Sequence, residues 1–244
     1  MSYDEDLAWI HHAGFSEFAE SAAAGIVNLL GDRRGLVVDV GCGSGVLARE
    51  LTRAGFDVLG IDASPAMIAL ARETAPSARF IVGSFDSVDL PPCAAIIATG
   101  EVLNYGTLDG VRAFIERAAR ATEMLIFDIA ERGGYPPHDE RRVGGNDWSV
   151  IAIKDSDGAR LTRRVLTFRD IDGDVRRTEE VHEFELYERE VILALLRDAG
   201  FRVRVRRSYG KYRLPRGHAV YVSERRRTPA LRLRASCYLA ARAH

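Results

Sequence analysis

Apolar positions recur at helical spacing through the first thirty residues and then contract into short continuous runs. Leu7, Ile10, Ala13 and Phe15, then Phe18, Ala22, Ile26 and Leu30, lie roughly three to four positions apart and predict helix over 6–30. Gly14 and Ser16 predict a break within it, with Ser16 capping a second helix. Past the turn 31–35, the run Leu36–Val40 predicts a first strand. A helix over 45–53 ended by Gly55, a strand over 57–61 and a helix opened by Ser64-Pro65 follow. Strands over 79–82, 94–98 and 124–129 and a helix over 108–120 continue the alternation, which predicts a parallel sheet between layers of helices.

The pattern then changes. Three β segments, 148–154, 161–169 and 175–185, are separated by Asp155-Ser156-Asp157-Gly158 and Asp170-Ile171-Asp172-Gly173-Asp174, both turn sequences. This predicts an antiparallel insertion. Helix returns over 188–198, ended by Gly200, and strands over 202–208 and 218–223 close the order. The stretch 231–243 reads as a short amphipathic helix. The expected fold class is α/β, a Rossmann-like doubly wound seven-stranded sheet, mostly parallel with its last strand antiparallel, carrying a small antiparallel β insertion. Length fits a single domain, 1–244. No apolar run approaches eighteen residues, so no membrane association is expected. The acidic start, Asp4-Glu5-Asp6, is unlike a signal peptide, and three scattered cysteines, Cys42, Cys93 and Cys237, suit a reducing, cytoplasmic setting.

The most informative segment is Asp39-Val40-Gly41-Cys42-Gly43-Ser44-Gly45. A strand ends in an acid and runs into glycines at alternate positions, and a second strand ends in a carboxylate at Asp62. The glycines admit a ligand to the backbone, and one carboxylate can grip two ribose hydroxyls. A dinucleotide site wants its third glycine one position later than Gly45 and a small residue where Val46 stands. Asp39, ahead of the turn, would repel a pyrophosphate. A phosphate-free, positively charged adenosine ligand fits better, and S-adenosylmethionine is one.

The segment resembles the first motif of the class I S-adenosylmethionine-dependent methyltransferases of small-molecule type. Gly60-Ile61-Asp62-Ala63-Ser64-Pro65-Ala66-Met67 is similar to their second, Arg79-Phe80-Ile81-Val82-Gly83-Ser84-Phe85 to their third strand and adenine loop, and Gly100-Glu101-Val102-Leu103-Asn104 to the loop after strand four. The resemblance covers nearly everything from Leu36 to Glu224. It implies a helical lid at 1–35, a cofactor-binding half at 36–130, an insertion at 145–186 walling the acceptor pocket, a last helix and strands at 187–224, and a basic tail at 225–244. It also implies that S-adenosylmethionine, leaving as S-adenosylhomocysteine, is held by Asp39, Gly41, Cys42, Gly43, Asp62, Ala63, Met67, Ser84, Phe85 and Gly100. The side chain of Cys42 is incidental. Ser84 stands where the family most often has Asp, so the adenine amino group falls to Ser84, a backbone carbonyl or Asp86.

Methyl transfer asks chiefly for alignment, and for a general base only where the nucleophile carries a proton. The catalytic candidates are His11, Glu101 and Tyr105. Further substrate-side candidates are Tyr3, His12, Asn104, Glu179, His182, Tyr209, Tyr212 and His218. The segment 135–138 reads as a loop over the mouth. No metal site is expected. No Asn- or Asp-Pro-Pro-Tyr motif follows strand four and no cysteine pair is suitably placed, which disfavours methylation of DNA bases.

Charge adds one competing reading. Residues 1–100 hold six Arg and no Lys against thirteen acids, while 201–244 hold thirteen basic residues and one acid, Glu224. The expected reaction is methylation of an oxygen or nitrogen of a small metabolite. The alternatives are an RNA-modifying methyltransferase that uses the Arg-rich end, or a non-catalytic protein that binds the cofactor. A nucleic-acid partner is disfavoured, because no nucleic-acid-binding motif accompanies the basic residues. The chain is expected to be a monomer or homodimer.

Overall fold

A computed structural model describes residues 3–225. The helix expected at 231–243, Cys237 and all of the basic tail beyond Arg225 lie outside the described residues.

Two N-terminal helices, α1 (Glu5–Phe15) and α2 (Glu17–Leu30), meet at Ser16. Asp4 caps α1 by accepting from the Leu7 amide at 3.0 Å. Ser16 does not cap α2 as expected. Its hydroxyl turns back and donates to the His12 carbonyl, so the break is a tight corner with helical backbone at Ser16.

The alternation then unfolds as read. β1 (Leu36–Val40), α3 (Val46–Arg53), β2 (Asp57–Asp62), α4 (Pro65–Thr74), β3 (Arg79–Val82), β4 (Ala95–Ala98), a 3-10 turn (Val102–Tyr105), α5 (Leu108–Ala121) and β5 (Met124–Ala130) come in order. Four insertion strands follow: β6 (His138–Gly144), β7 (Trp148–Ser156), β8 (Arg160–Ile171) and β9 (Asp174–Glu185). The chain closes with α6 (Arg189–Asp198), β10 (Arg202–Arg206), a hairpin of β11 (Ser208–Tyr209) and β12 (Tyr212–Arg213), and β13 (His218–Glu224).

The main sheet has the order β10-β13-β5-β4-β1-β2-β3. β1, β2, β3, β4 and β5 pair in parallel, and β13 runs antiparallel to both β5 and β10. Both faces are covered, so its central strands read as unbroken apolar runs rather than alternating ones. Val37 and Ile126 point to the face packed by α2, α3 and α4, while Val38 and Phe127 point to the face packed by α5 and α6.

The insertion holds one strand more than the sequence pattern showed, and it begins at His138 rather than near residue 145. β6 reads HDERRVG, almost all polar and exposed, with no alternation to mark it. That is a composition suited to a free sheet edge, where charge discourages further pairing. The β8–β9 hairpin turns at Asp172 and Gly173, both with positive φ, as a two-residue connection requires. The insertion sheet packs on α1 through Leu7, Ile10, Val150 and Val165. Buried Asp6 of α1 takes Arg169 at 3.3 Å and Arg176 of the same hairpin, and the Arg169 guanidinium stacks 4.0 Å over Trp9. The N-terminal helix is thereby held over the C-terminal edge of the main sheet.

Candidate active site

The C-terminal ends of β1, β2, β3 and β4 open onto a cavity of about 270 Å³, the edge at which open α/β sheets take ligands. α1 and α2 roof it with His11, Phe15 and Phe18. The glycine turn forms its floor. Gly41 has φ +70°, and a Cβ there would come 2.2 Å from Val102 Cγ2. Gly43 also has positive φ, but a Cβ there would meet nothing within 4 Å. The first glycine lets the turn lie against the 3-10 turn, and the second leaves the cavity open. Gly41→Ala should therefore abolish binding of an adenosine ligand through displacement of Val102. Gly41→Ala/Val102→Ala should restore part of it, read by calorimetry, and no recovery would locate the damage in the backbone angle alone.

Asp62 closes the turn from the second strand. Its Oδ2 accepts from the Gly43 amide at 2.9 Å and its Oδ1 from the Ser64 amide at 2.8 Å. Lone pairs remain on both oxygens. Burial raises its pKa, and the two amides oppose that rise. Asp39 is more confined. Its Oδ2 is buried and unpartnered, and burial together with the nearby Asp62 charge pushes its carboxyl up to about 7. A buried acid close to a second acid favours a ligand that itself carries positive charge. Ser64 caps α4, accepting from Met67 at 3.2 Å, which sets Met67 in the wall. Phe85, edge-on to Phe114 at 5.7 Å, and Ser84 come from the loop after β3.

Of the catalytic candidates, His11 and Tyr105 line the cavity with all ten cofactor residues named above, and Glu101 does not. Glu101 sits behind the wall in a buried polar cluster. Its Oε1 lies 2.6 Å from His218 Nε2 and accepts from the Tyr135 hydroxyl at 3.0 Å, and its Oε2 takes the Arg163 guanidinium at 3.0 Å. Burial alone would push its carboxyl up. That is the largest single influence, but Arg163, His218 and Tyr135 together outweigh it and hold the carboxyl far below the usual carboxylate range. Tyr135, expected in a loop over the mouth, is thus a buttress of this cluster.

The backbone of Glu101 has φ +65°, strained for a side chain. It is fixed by buried Asp128 of β5, which accepts from the Gly100 and Glu101 amides and from the Tyr209 hydroxyl at 2.7 Å. Asn104 is structural as well, bridging the backbone of Ala130 and Glu185. His12 reaches Ser44 of the glycine turn at 2.9 Å, Tyr212 packs on Phe18, and Glu179 is on the exposed side of β9. Tyr3 and Tyr105 both line the cavity, and His182 lies edge-on to both rings. Arg163 and Asp128 escaped the sequence reading. Asp128 carried a signal, a lone acid inside the apolar run Met124–Ala130, and Arg163 carried another, a charge in register with Leu161 and Val165.

Residues 37–124 match a family model described as a methyltransferase domain. The sequence is 29% identical over 104 residues to magnesium-protoporphyrin O-methyltransferase of Rhodobacter capsulatus, covering 41% of this chain and 46% of that protein. It is 30% identical over 121 residues to ubiquinone biosynthesis O-methyltransferase of Rhodopseudomonas palustris (strain BisB18), covering 48% and 45%. The chain spans about half the length of these curated relatives. The fold is shared more widely. DesVI of Streptomyces venezuelae superposes with a TM-score of 0.76 at 20% identity over 92% of this chain and 100% of that one. CalS10 of Micromonospora echinaspora, an amino pentose methyltransferase solved with S-adenosylmethionine bound, gives 0.70 at 22% identity over 93% and 98%. The matched stretch, residues 37–124, is the one that bears the glycine turn and Asp62. Among the described residues no helix is long and apolar enough to cross a membrane, and no cluster of three or more His, Cys, Asp or Glu side chains is arranged for a metal.

Proposed function

We propose that the protein transfers a methyl group from S-adenosylmethionine to an oxygen or nitrogen of a small molecule. The observation that carries this reading is the shared cavity. The glycine turn, Asp39 and Asp62 line one side of it, and His11, Tyr105 and the N-terminal roof line the other. The relatives named above as O-methyltransferases of small molecules, and the amino pentose methyltransferase of like fold, support the same reading.

The residues fit the cofactor. Asp62 offers free lone pairs for the ribose hydroxyls, Gly43 leaves the backbone open to the cavity, and Met67 and Phe85 line it as apolar partners for an adenine ring. The unpartnered Asp39 Oδ2 is matched by the ligand's ammonium. When bound, S-adenosylmethionine supplies a methyl carbon already activated by its sulfonium. The protein's share is then alignment, which supplies on the order of 7–11 kcal/mol, and exclusion of water by the helical roof.

Asp39 makes the reading testable without knowing the acceptor. Its folded-state carboxyl titrates near 7 and should be driven to the ionised form when an ammonium binds beside it. Affinity for S-adenosylhomocysteine should therefore rise by up to about tenfold per pH unit below 7 and level off above, with proton release in calorimetry near pH 6.5. No binding at any pH removes the assignment. Incubation of a metabolite extract with methyl-labelled cofactor then identifies the acceptor by the label it gains.

A further inference from the structure

The bend that ends β4 is held from outside the cavity. Gly100 has φ +85° and Glu101 has φ +65°, so two consecutive left-handed residues lead into the 3-10 turn. The bend places Thr99, Gly100, Val102 and Tyr105 in the cavity wall. Glycine adopts this conformation freely, whereas glutamate does so only under restraint. Asp128 is placed to give that restraint. β4 and β5 run parallel with Ala98 beside Phe127, so Asp128 stands one residue past the last paired position, next to the bend.

Asp128 is 1% exposed and serves three donors. The Gly100 amide donates to both its oxygens, at 3.1 and 3.0 Å, and the Glu101 amide to Oδ1 at 2.9 Å. The third donor is the Tyr209 hydroxyl, which reaches Oδ2 at 2.7 Å from the β11–β12 hairpin. Three donors on two oxygens suit the ionised carboxylate, since a protonated one would turn its own hydroxyl towards one of them. Tyr209 is itself fully buried, and its hairpin is wedged backbone to backbone against α2. A Cβ on Gly25 of α2 would come 2.3 Å from the Tyr209 carbonyl carbon, and one on Gly210 would come 2.9 Å from the Gly25 Cα. Two turns earlier on the same helix, Phe18 packs 6.4 Å from the Tyr209 ring and lines the cavity. A Cβ on Gly100 would stand 3.8 Å from Phe18 Cε1, which closes the circuit. One carboxylate thus ties the wall at Gly100 to the roof at Phe18.

We propose that Asp128 and Tyr209 are positioning residues for the adenosine ligand, fixing the Gly100–Glu101 bend and the seat of Phe18 above it; this rests on the methyl-transfer reading above. Neither side chain lines the cavity. Without the carboxylate, Glu101 returns towards negative φ, and a backbone change of that size moves Gly100 and Val102 out of the wall. Val102 also backs Gly41, so the glycine turn loses its support at the same time.

The probe is S-adenosylhomocysteine, titrated by calorimetry into the full chain at room temperature. Asp128→Ala should weaken its binding by at least about tenfold. Asp128→Asn keeps one acceptor oxygen for the two amides and should recover most of that loss. Tyr209→Phe keeps the ring and the hairpin, removes only the hydroxyl, and should weaken binding about threefold. In NMR the Gly100 and Glu101 amide signals should move in all three variants, most in Asp128→Ala. Leu196→Ala, a core truncation in α6 away from the cavity, should lower Tm at least as much and leave affinity unchanged. A merely structural role makes affinity follow Tm across all these variants, Leu196→Ala included, and that pattern overturns the proposal. Wild-type affinity in Asp128→Asn and Tyr209→Phe alike, or amide signals that stay in place, overturns it too. Should Asp128→Ala fail to fold, the other two variants carry the same test. Failure of the unaltered chain to bind S-adenosylhomocysteine removes the reading beneath it instead.

Discussion

Asp62→Ala should weaken S-adenosylhomocysteine binding by at least about tenfold while the far-ultraviolet circular dichroism of the protein stays unchanged. Hydrogen bonds from ribose hydroxyls to a carboxylate contribute about 1.5–3 kcal/mol each, and a tenfold change needs only about 1.4 kcal/mol, so losing even one reaches this level. The fold survives because Asp62 and Gly43 are only partly buried at the cavity wall, where water replaces the carboxylate and reaches the amides of Gly43 and of buried Ser64. A second effect travels with the first. The Asp62 charge helps hold the Asp39 carboxyl near 7, so its removal should move the rise of affinity with pH to lower pH. Asp62→Asn should fall between wild type and the alanine variant, since an amide keeps one acceptor oxygen. Unchanged affinity in Asp62→Ala would remove Asp62 from the site.

How legible this was in the sequence depended on how local each device is. The glycine turn and the two strand-terminal acids, Asp39 and Asp62, lie within a single βαβ unit, so spacing alone exposed them. The parallel sheet was legible because both its faces are covered and its strands are apolar throughout. β6 was not, because an exposed edge strand needs no apolar face and its residues HDERRVG have none. The hairpin β11–β12 was too short for any period, and Tyr209 within it was legible only as a candidate, not as the partner of Asp128.

Glu101 shows the limit most clearly. The sequence placed it at the C-terminal edge of the sheet, where a catalytic acid belongs, and the structure places it there too. What decides its chemistry is Arg163, sixty-two residues away on the insertion, together with His218 from β13. No local spacing reports a partner supplied by a different sheet.

The same long-range pairing makes Arg163→Met the most destabilising single change expected outside the apolar core. Arg163 and Glu101 are 18% and 17% exposed at their side chains, so solvent screens the pair weakly. Removing the guanidinium leaves a buried carboxylate with only His218 and Tyr135, and an orphaned buried charge costs about 3–5 kcal/mol. His218 retains part of the compensation, which puts the expected loss near the lower end, about 3 kcal/mol, or a fall in Tm of about 6–12 °C for a domain of this size. The guanidinium also stacks 4.5 Å from the Phe184 ring, so Arg163→Lys should recover only part of the loss. Arg163→Met/Glu101→Gln should recover more, because the cost lies in the unpaired charge rather than in the missing contact. The pair's contribution is fully present above the ordinary carboxylate value and is lost as acid protonates Glu101, whose folded-state pKa is depressed. The gap between wild type and Arg163→Met should therefore narrow as pH falls well below 4. Equal Tm values for the two proteins at pH 7 would mean that the insertion and the loop after β4 are held together by packing alone.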